Sequence, residues 1–294
     1  MKKFIKRLLL FLTIIIGFVF IDVCLQKTLL FRDEYMKLAK NIHTLFLGHS
    51  HTANSCNTEY IKNSINLASA GEAYIYTYFK AKKVIETNPQ IKKVYVEFTN
   101  NQIDKHMDNW IWDDTHLQYN FISYGVLMDY DALSLLYKKN PSGFVTAFSK
   151  GLFNNLLKMV SSKKRKIQYG SMGGFKTNNQ IFINTKVPKN KKMTSSNYEI
   201  SESNIYYLEQ IVKYCKQRKI EVILVRSPMH KTYDVSFSEN EHNKILSKKF
   251  KDIKFIDNKD FPIPYNGFHD IEHLNSTGAK FYSQYFNKLV NENN

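Results

Sequence analysis

Between Leu8 and Ile21 the chain is apolar at every position except Thr13 and Gly17, and Val23 to Leu25 carry the pattern past Asp22. As a helix rising about 1.5 Å per residue, Leu8 to Leu25 reaches ~27 Å, enough to cross the hydrocarbon core of a bilayer. Beyond it, short apolar runs alternate with helical stripes. Thr44–Leu47, Ile65–Ala68 and Val94–Phe98 read as strands, the first two ending at or near Gly48 and Gly71. Tyr74, Tyr78, Ala81 and Val84 fall on one face of a helix from Ala73 to about Glu86. A second helix, Tyr206 to Arg218, carries Leu208, Ile211, Val212 and Cys215 on one face. Ile220–Val225 is apolar apart from Glu221, the pattern of a strand covered on both sheet faces. A helix over 239–250, a strand at Ile253–Ile256 and a helix over 277–290 complete the series. This alternation predicts an α/β fold: a three-layer α/β/α sandwich with a parallel five-stranded sheet, flavodoxin-like in type, preceded by one transmembrane helix.

The alternation lapses between Asp104 and Ile200. That stretch holds Trp110 and Trp112, helical pieces at Asp131–Tyr137 and Gly143–Met159, and a Gly- and Asn-rich segment over 170–184. A loop of such length implies a lid or subdomain. The expected organisation is therefore an anchor at 1–26, a domain built from 41–103 and 201–294, and an insertion at 104–200.

At 294 residues and 43% hydrophobic content, the chain can bury one substantial core. A formal charge of +16 would suit nucleic acid, but the charge is clustered. Lys2, Lys3, Lys6 and Arg7 precede the apolar segment, and no Asp or Glu occurs between Lys138 and Lys192. The second region, which includes Lys163-Lys-Arg-Lys166, suits lipid headgroups or an acidic polymer, or is simply a solvated surface. The first cluster holds the N-terminus in the cytoplasm and puts the remainder outside, in the periplasm where a cell has two membranes. No A-x-A site follows the apolar segment, and Ile21-Asp-Val23 before Cys24 is a poor lipobox, so the reading is an uncleaved anchor. Three cysteines (Cys24, Cys56, Cys215) are too few for a disulfide framework.

Two motifs carry chemistry. In Leu45-Phe-Leu-Gly-His-Ser-His-Thr52 a strand runs into Gly48 and then Ser50, which puts a hydroxyl at the carboxyl edge of a parallel sheet, where ligands bind. Far away, Phe268-His-Asp-Ile-Glu-His-Leu-Asn-Ser-Thr-Gly278 sets Asp270 three residues before His273, just ahead of a helix. At that spacing the carboxylate can hold one ring nitrogen while the other faces a serine. His49, His51, His269 and His273 could alternatively collect a zinc ion, but a serine block competes with that arrangement, and neither metal nor cofactor is expected. Trp110 and Trp112 could form a sugar-stacking wall or ordinary lid packing. Arg226 and His230, at the end of the fourth strand, could contact an anionic substrate or cap a loop.

Gly48-His-Ser50, Asn66-Leu-Ala-Ser-Ala-Gly71, Val96-Glu-Phe-Thr-Asn-Asn101 and Asp270-Ile-Glu-His-Leu-Asn275 resemble, in order, the four sequence blocks of the SGNH (GDSL-like) hydrolase superfamily. The resemblance covers about Asn41 to Asn287 outside the insertion. The chain looks most like extracytoplasmic, membrane-anchored members such as the DltD type and the alginate and peptidoglycan O-acetylation proteins. It implies Ser50 as nucleophile, His273 as general base and Asp270 as its orienting acid. It further implies an oxyanion hole made of the Ser50 amide, the Gly71 amide and the Asn101 side chain, with Asn100 one residue of register away. The implied reaction is ester hydrolysis or O-acyl transfer, with acetyl the expected acyl group, on a cell-envelope glycan or other acylated substrate. A membrane-bound acyltransferase of the MBOAT family is the implied partner where acyl groups must cross the membrane. The usual acid before the serine is His49 here, and this departure leaves open an inactive glycan-binding or assembly subunit that keeps the fold.

Overall fold

The computed structural model describes residues 1–160, 172–182 and 198–292. The basic run at 163–166 and the residues from 183 to 197 lie outside the described residues. Two compact units divide the chain, one of Met1–Lys37 with Trp112–Gln168 and the other of Leu38–Ile111 with Tyr169–Asn294. The segment expected as an insertion over 104–200 is therefore split. Its middle joins the N-terminal helix, and its two ends belong with the sheet, where Asp104 bridges Ile200.

The sheet unit contains five strands, β1 (Thr44–Leu47), β2 (Ser64–Asn66), β3 (Lys93–Glu97), β4 (Glu221–Arg226) and β5 (Lys254–Asp257). All pair in parallel in the order β2-β1-β3-β4-β5. Parallel strands need crossovers, and the helices Tyr74–Thr87, Glu202–Gln217 and Ser236–Lys249 lie between successive strands in the chain. Side chains alternate across each strand, so Phe46, Tyr95, Ile223 and Val225 enter one core with Tyr282, Phe286 and Val290 of the C-terminal helix Ser276–Glu292. Leu45, Leu47, Val94, Val96 and Leu224, all fully buried, face the opposite layer. The chain reverses direction across the sheet between β1 and β3, and in this strand order that switch point is where a crevice opens beyond the carboxyl ends.

Element boundaries move for local reasons. The helix expected from Tyr206 begins at Glu202, because the Ser201 hydroxyl caps it by accepting from Asn204 N–H at 3.1 Å. Cys215 is fully buried on that helix, and Cys24 is exposed.

The other unit is helical. Lys2–Leu29 is a single helix, long and apolar enough to cross a membrane by length and composition, and almost all of that apolar stretch is exposed. Its last turns differ. Asp22 and Gln26 are buried, with Gln26 Nε2 donating to Asp22 Oδ2 at 2.7 Å. Asn155, on the helix Pro141–Val160, donates to Gln26 Oε1 at 2.9 Å and to the Ile122 carbonyl at 3.2 Å. A polar ladder thus ties the end of the apolar helix to the helices that follow, and fixes which side of it faces them.

Candidate active site

Ser50 opens a short helix, Ser50–Ser55, directly beyond β1. The turn between them depends on Gly48, whose φ of +147° lies where a side chain is strained and whose added Cβ would meet Glu97 Cβ at 2.3 Å. That close approach lets Glu97, fully buried at the end of β3, grip the turn. Its Oε2 accepts from His49 N–H at 2.9 Å and from Thr52 N–H at 2.8 Å. Tyr74 Oη donates in turn to the Glu97 carbonyl.

The loop carrying Asp270 and His273 comes from the other end of the sequence. Asp270 Oδ1 accepts from the backbone N–H of Glu272 (2.7 Å) and of His273 (2.8 Å), folding the loop back on itself. Both carboxylate oxygens face His273 Nδ1, at 3.0 and 2.9 Å, while His273 Nε2 lies 2.7 Å from Ser50 Oγ. Burial works against ionising Asp270, but the hydrogen bonds from His269 and His273 hold its carboxyl far below the usual carboxylate range. An ionised Asp270 keeps the proton of His273 on Nδ1, which leaves a lone pair on Nε2 aimed at the serine.

His269 Nε2 lies 3.1 Å from Asp270, and its ring stacks on His273 with centroids 5.3 Å apart. His269, Asp270 and His273 offer three donor atoms within 4.8 Å of one another, the nearest approach to a metal cluster among the described residues. As arranged, Asp270 shares protons with both rings, and a cation would have to displace them.

His51, also buried, packs its ring edge-on to His273 at 5.0 Å, with Nε2 3.6 Å from Glu272 Oε2. Burial disfavours its charged form, but the facing Glu272 carboxylate, with those of Glu97 and Asp270, raises its pKa. Glu272 shifts in the complementary direction, downward, as two groups do when each favours the charged form of the other.

The two asparagines after β3 divide their work. Asn100 is buried, donating to Ser238 and Glu239 and accepting from Arg226, so its amide is committed to the scaffold. Asn101 is only partly buried, with Nδ2 3.4 Å from His51 Nε2 and Oδ1 accepting from Thr99 Oγ1. Gly71 has φ +75°, and a Cβ there would strike Trp110 at 2.3 Å. Its loop is held to the turn before Ser50 by Ser69 N–H donating to the Gly48 carbonyl at 3.0 Å. From beneath, buried Lys80 pairs with Glu72 at 2.7 Å and donates to the Leu67 carbonyl.

The remaining candidates part company. Trp110 lies edge-on to His49, centroids 5.7 Å apart, in the sheet unit. Trp112 falls in the helical unit, under Lys139 Nζ at 5.0 Å from its ring, so the pair forms no wall within one unit. Arg226 is 1% exposed and its guanidinium is saturated by Asp257, Glu239 and Asn100. Its expected contact with an anionic substrate is therefore corrected: it is a buried strut beneath the site. His230 is buried between Phe182 and Phe268, with Nδ1 against the Thr232 hydroxyl. It lines a cavity of about 370 Å³ with Phe261, Ile263 and Tyr265, a set that includes none of Ser50, Asp270 and His273.

Glu97 and Glu272 escape a motif search. The signal for Glu97 is a single acid at the end of an otherwise apolar strand, Val94-Tyr-Val-Glu-Phe98.

A protein-family model matches residues 175–294. The sequence matches no curated protein. Among solved structures, the chain is similar to a Bacteroides fragilis protein described as an acylhydrolase, at 10% identity and a TM-score of 0.39, covering 85% of this chain and 86% of that one. It is also similar to a GDSL-like lipase from Bacteroides thetaiotaomicron, at 9% identity and a TM-score of 0.40, covering 88% and 92%. Similarity at this level bears on neither activity nor substrate.

Proposed function

We propose that this chain is a membrane-anchored serine esterase or O-acyltransferase of the SGNH type, working through Ser50, His273 and Asp270. The observation that carries the reading is the unbroken line from Ser50 Oγ to His273 Nε2 at 2.7 Å and from His273 Nδ1 to Asp270 at 2.9 Å. In that line, His273 takes the hydroxyl proton as Oγ attacks an ester carbonyl, and Asp270 stabilises the imidazolium. The amides of Ser50 and Gly71 and the Asn101 side chain are the donors for the tetrahedral oxyanion. His273 then protonates the departing alcohol, leaving an acyl-enzyme that water or a second hydroxyl resolves. A serine-directed fluorophosphonate incubated with the full chain in detergent should add one phosphonyl mass to the peptide containing Ser50. Labelling of a different residue, or none, would remove the mechanism.

The proposed substrates are acyl esters, acetyl foremost, on a cell-envelope glycan, with an MBOAT-family acyltransferase as the source of acyl groups if the reaction is transfer. What supports an envelope location is the exposed apolar helix, whose first turns carry Lys2, Lys3, Lys6 and Arg7. A reporter active only outside the cytoplasm should be active when fused after Asn294, and neutralising those four residues should lower its signal. A reporter silent in the unaltered protein would refute the orientation.

A further inference from the structure

The serine hydroxyl is flanked on two sides. His273 Nε2 lies 2.7 Å from Ser50 Oγ, and His49 Nδ1 lies 2.8 Å from the same atom. A hydroxyl carries one hydrogen, so it can donate to only one of these nitrogens. Asp270 accepts at His273 Nδ1, which fixes the lone pair of that ring on Nε2, and the serine hydrogen must go there. A second lone pair facing Oγ would repel it, so His49 Nδ1 has to carry a hydrogen. We infer that His49 is a fourth catalytic residue, a neutral imidazole that donates Nδ1–H to the nucleophilic oxygen of Ser50. The inference rests on the triad proposed above.

Three observations support it. His49 Nε2 is buried and has no hydrogen-bond partner among the described residues, so a proton there would be stranded. Burial, together with the nearby His51 and His273, pushes the His49 pKa down to about 3, which keeps it neutral throughout the working range. Glu97 and Trp110 fix the residue, the first through its backbone N–H and the second edge-on to its ring.

The chemistry is that of a donor that never gives up its proton. As Oγ hands its hydrogen to His273 and bonds to the carbonyl carbon, the His49 N–H meets the charge passing through Oγ. In deacylation the acceptor hydroxyl gives its proton to His273, its oxygen bonds to the carbonyl carbon, and the carbon–Oγ bond breaks. The electron pair of that bond stays on Oγ, which the His49 N–H stabilises until His273 returns a proton to it. The second step leans on His49 most, because there Oγ is the leaving group.

Asn and Leu test this as side chains of matched size, since an Asn Nδ2 can donate from near the position of His Nδ1 and a Leu methyl group cannot. In the full chain, His49→Asn should keep activity on a short aryl ester within about tenfold, and His49→Leu should lose about 10²-fold in kcat, the usual cost of a lost donor. The Leu variant should also accumulate acyl-enzyme visible by intact mass. Equal activity of the two variants, high or low, would overturn the donor role, since a purely steric part does not separate them. An independent readout needs no turnover: ¹⁵N-histidine spectra of the full chain should show His49 protonated at Nδ1 from pH 5 to pH 9. An Nε2–H tautomer there would overturn the inference while leaving the triad standing. Unimpaired ester turnover by Ser50→Ala would bring down the triad and leave the tautomer unaffected.

Discussion

Replacing Ser50 by alanine is expected to lower kcat on a small ester by about 10⁴-fold or more, with KM little changed, because no covalent intermediate can form. His273→Ala should cost nearly as much. A second imidazole, that of His49, stands at almost the same distance from Oγ and could be thought to substitute. It cannot do so as a base. A ring whose pKa has been pushed down to about 3 binds a proton too weakly to draw one from a hydroxyl near neutrality. If His273→Ala retains substantial activity on steady-state assay while Ser50→Ala does not, the assignment of the base is wrong.

Glu97→Ala should be the most damaging substitution outside the triad. It strips the acceptor from the His49 and Thr52 amides in a fully buried position, and each orphaned donor costs about 1–3 kcal/mol. The resulting loss of stability, roughly 2–6 kcal/mol, should appear as a clear fall in the unfolding temperature of the detergent-solubilised chain. The nucleophile turn relaxes with it, so turnover should fall by about 10²-fold or more even in molecules that remain folded, as expected when a reacting group is displaced by about 1 Å. Glu97→Gln keeps an oxygen in the same place and should recover most of both losses. Equal behaviour of the Ala and Gln variants would mean that the carboxylate does not organise the turn.

The five strands are legible because apolar runs of four to six residues between glycines and helical stripes leave few other assignments. The candidate site is legible as two short motifs, one at a strand end and one ahead of a helix. What the sequence hides is pairing at long range. Arg226 at a strand end looks like a ligand for substrate, but its partners Glu239 and Asp257 come from a helix and a strand with no fixed spacing to it. Trp110 and Trp112 look like one aromatic wall because they are two residues apart, yet the boundary between the two units runs between them. Glu97 acts on backbone amides 45 and 48 residues away, which leave no side-chain pattern to read. The contact of His49 with its own neighbour depends on a rotamer, and no spacing rule encodes one.

Ser50 and the base proposed for it are separated by 223 positions along the chain. At 5–20 residues per second, a ribosome delivers the serine about 10–45 s before the histidine. In that interval β1, β2 and β3 can already associate, and the hydroxyl is present but chemically idle. On the proposed mechanism, a chain stopped between Ser50 and His273 carries the serine without its base, and the segment bearing Asp270 and His273 is what arms it. Reactivity toward an active-site probe would then count the chains extended past His273 and folded, independently of how many have been begun.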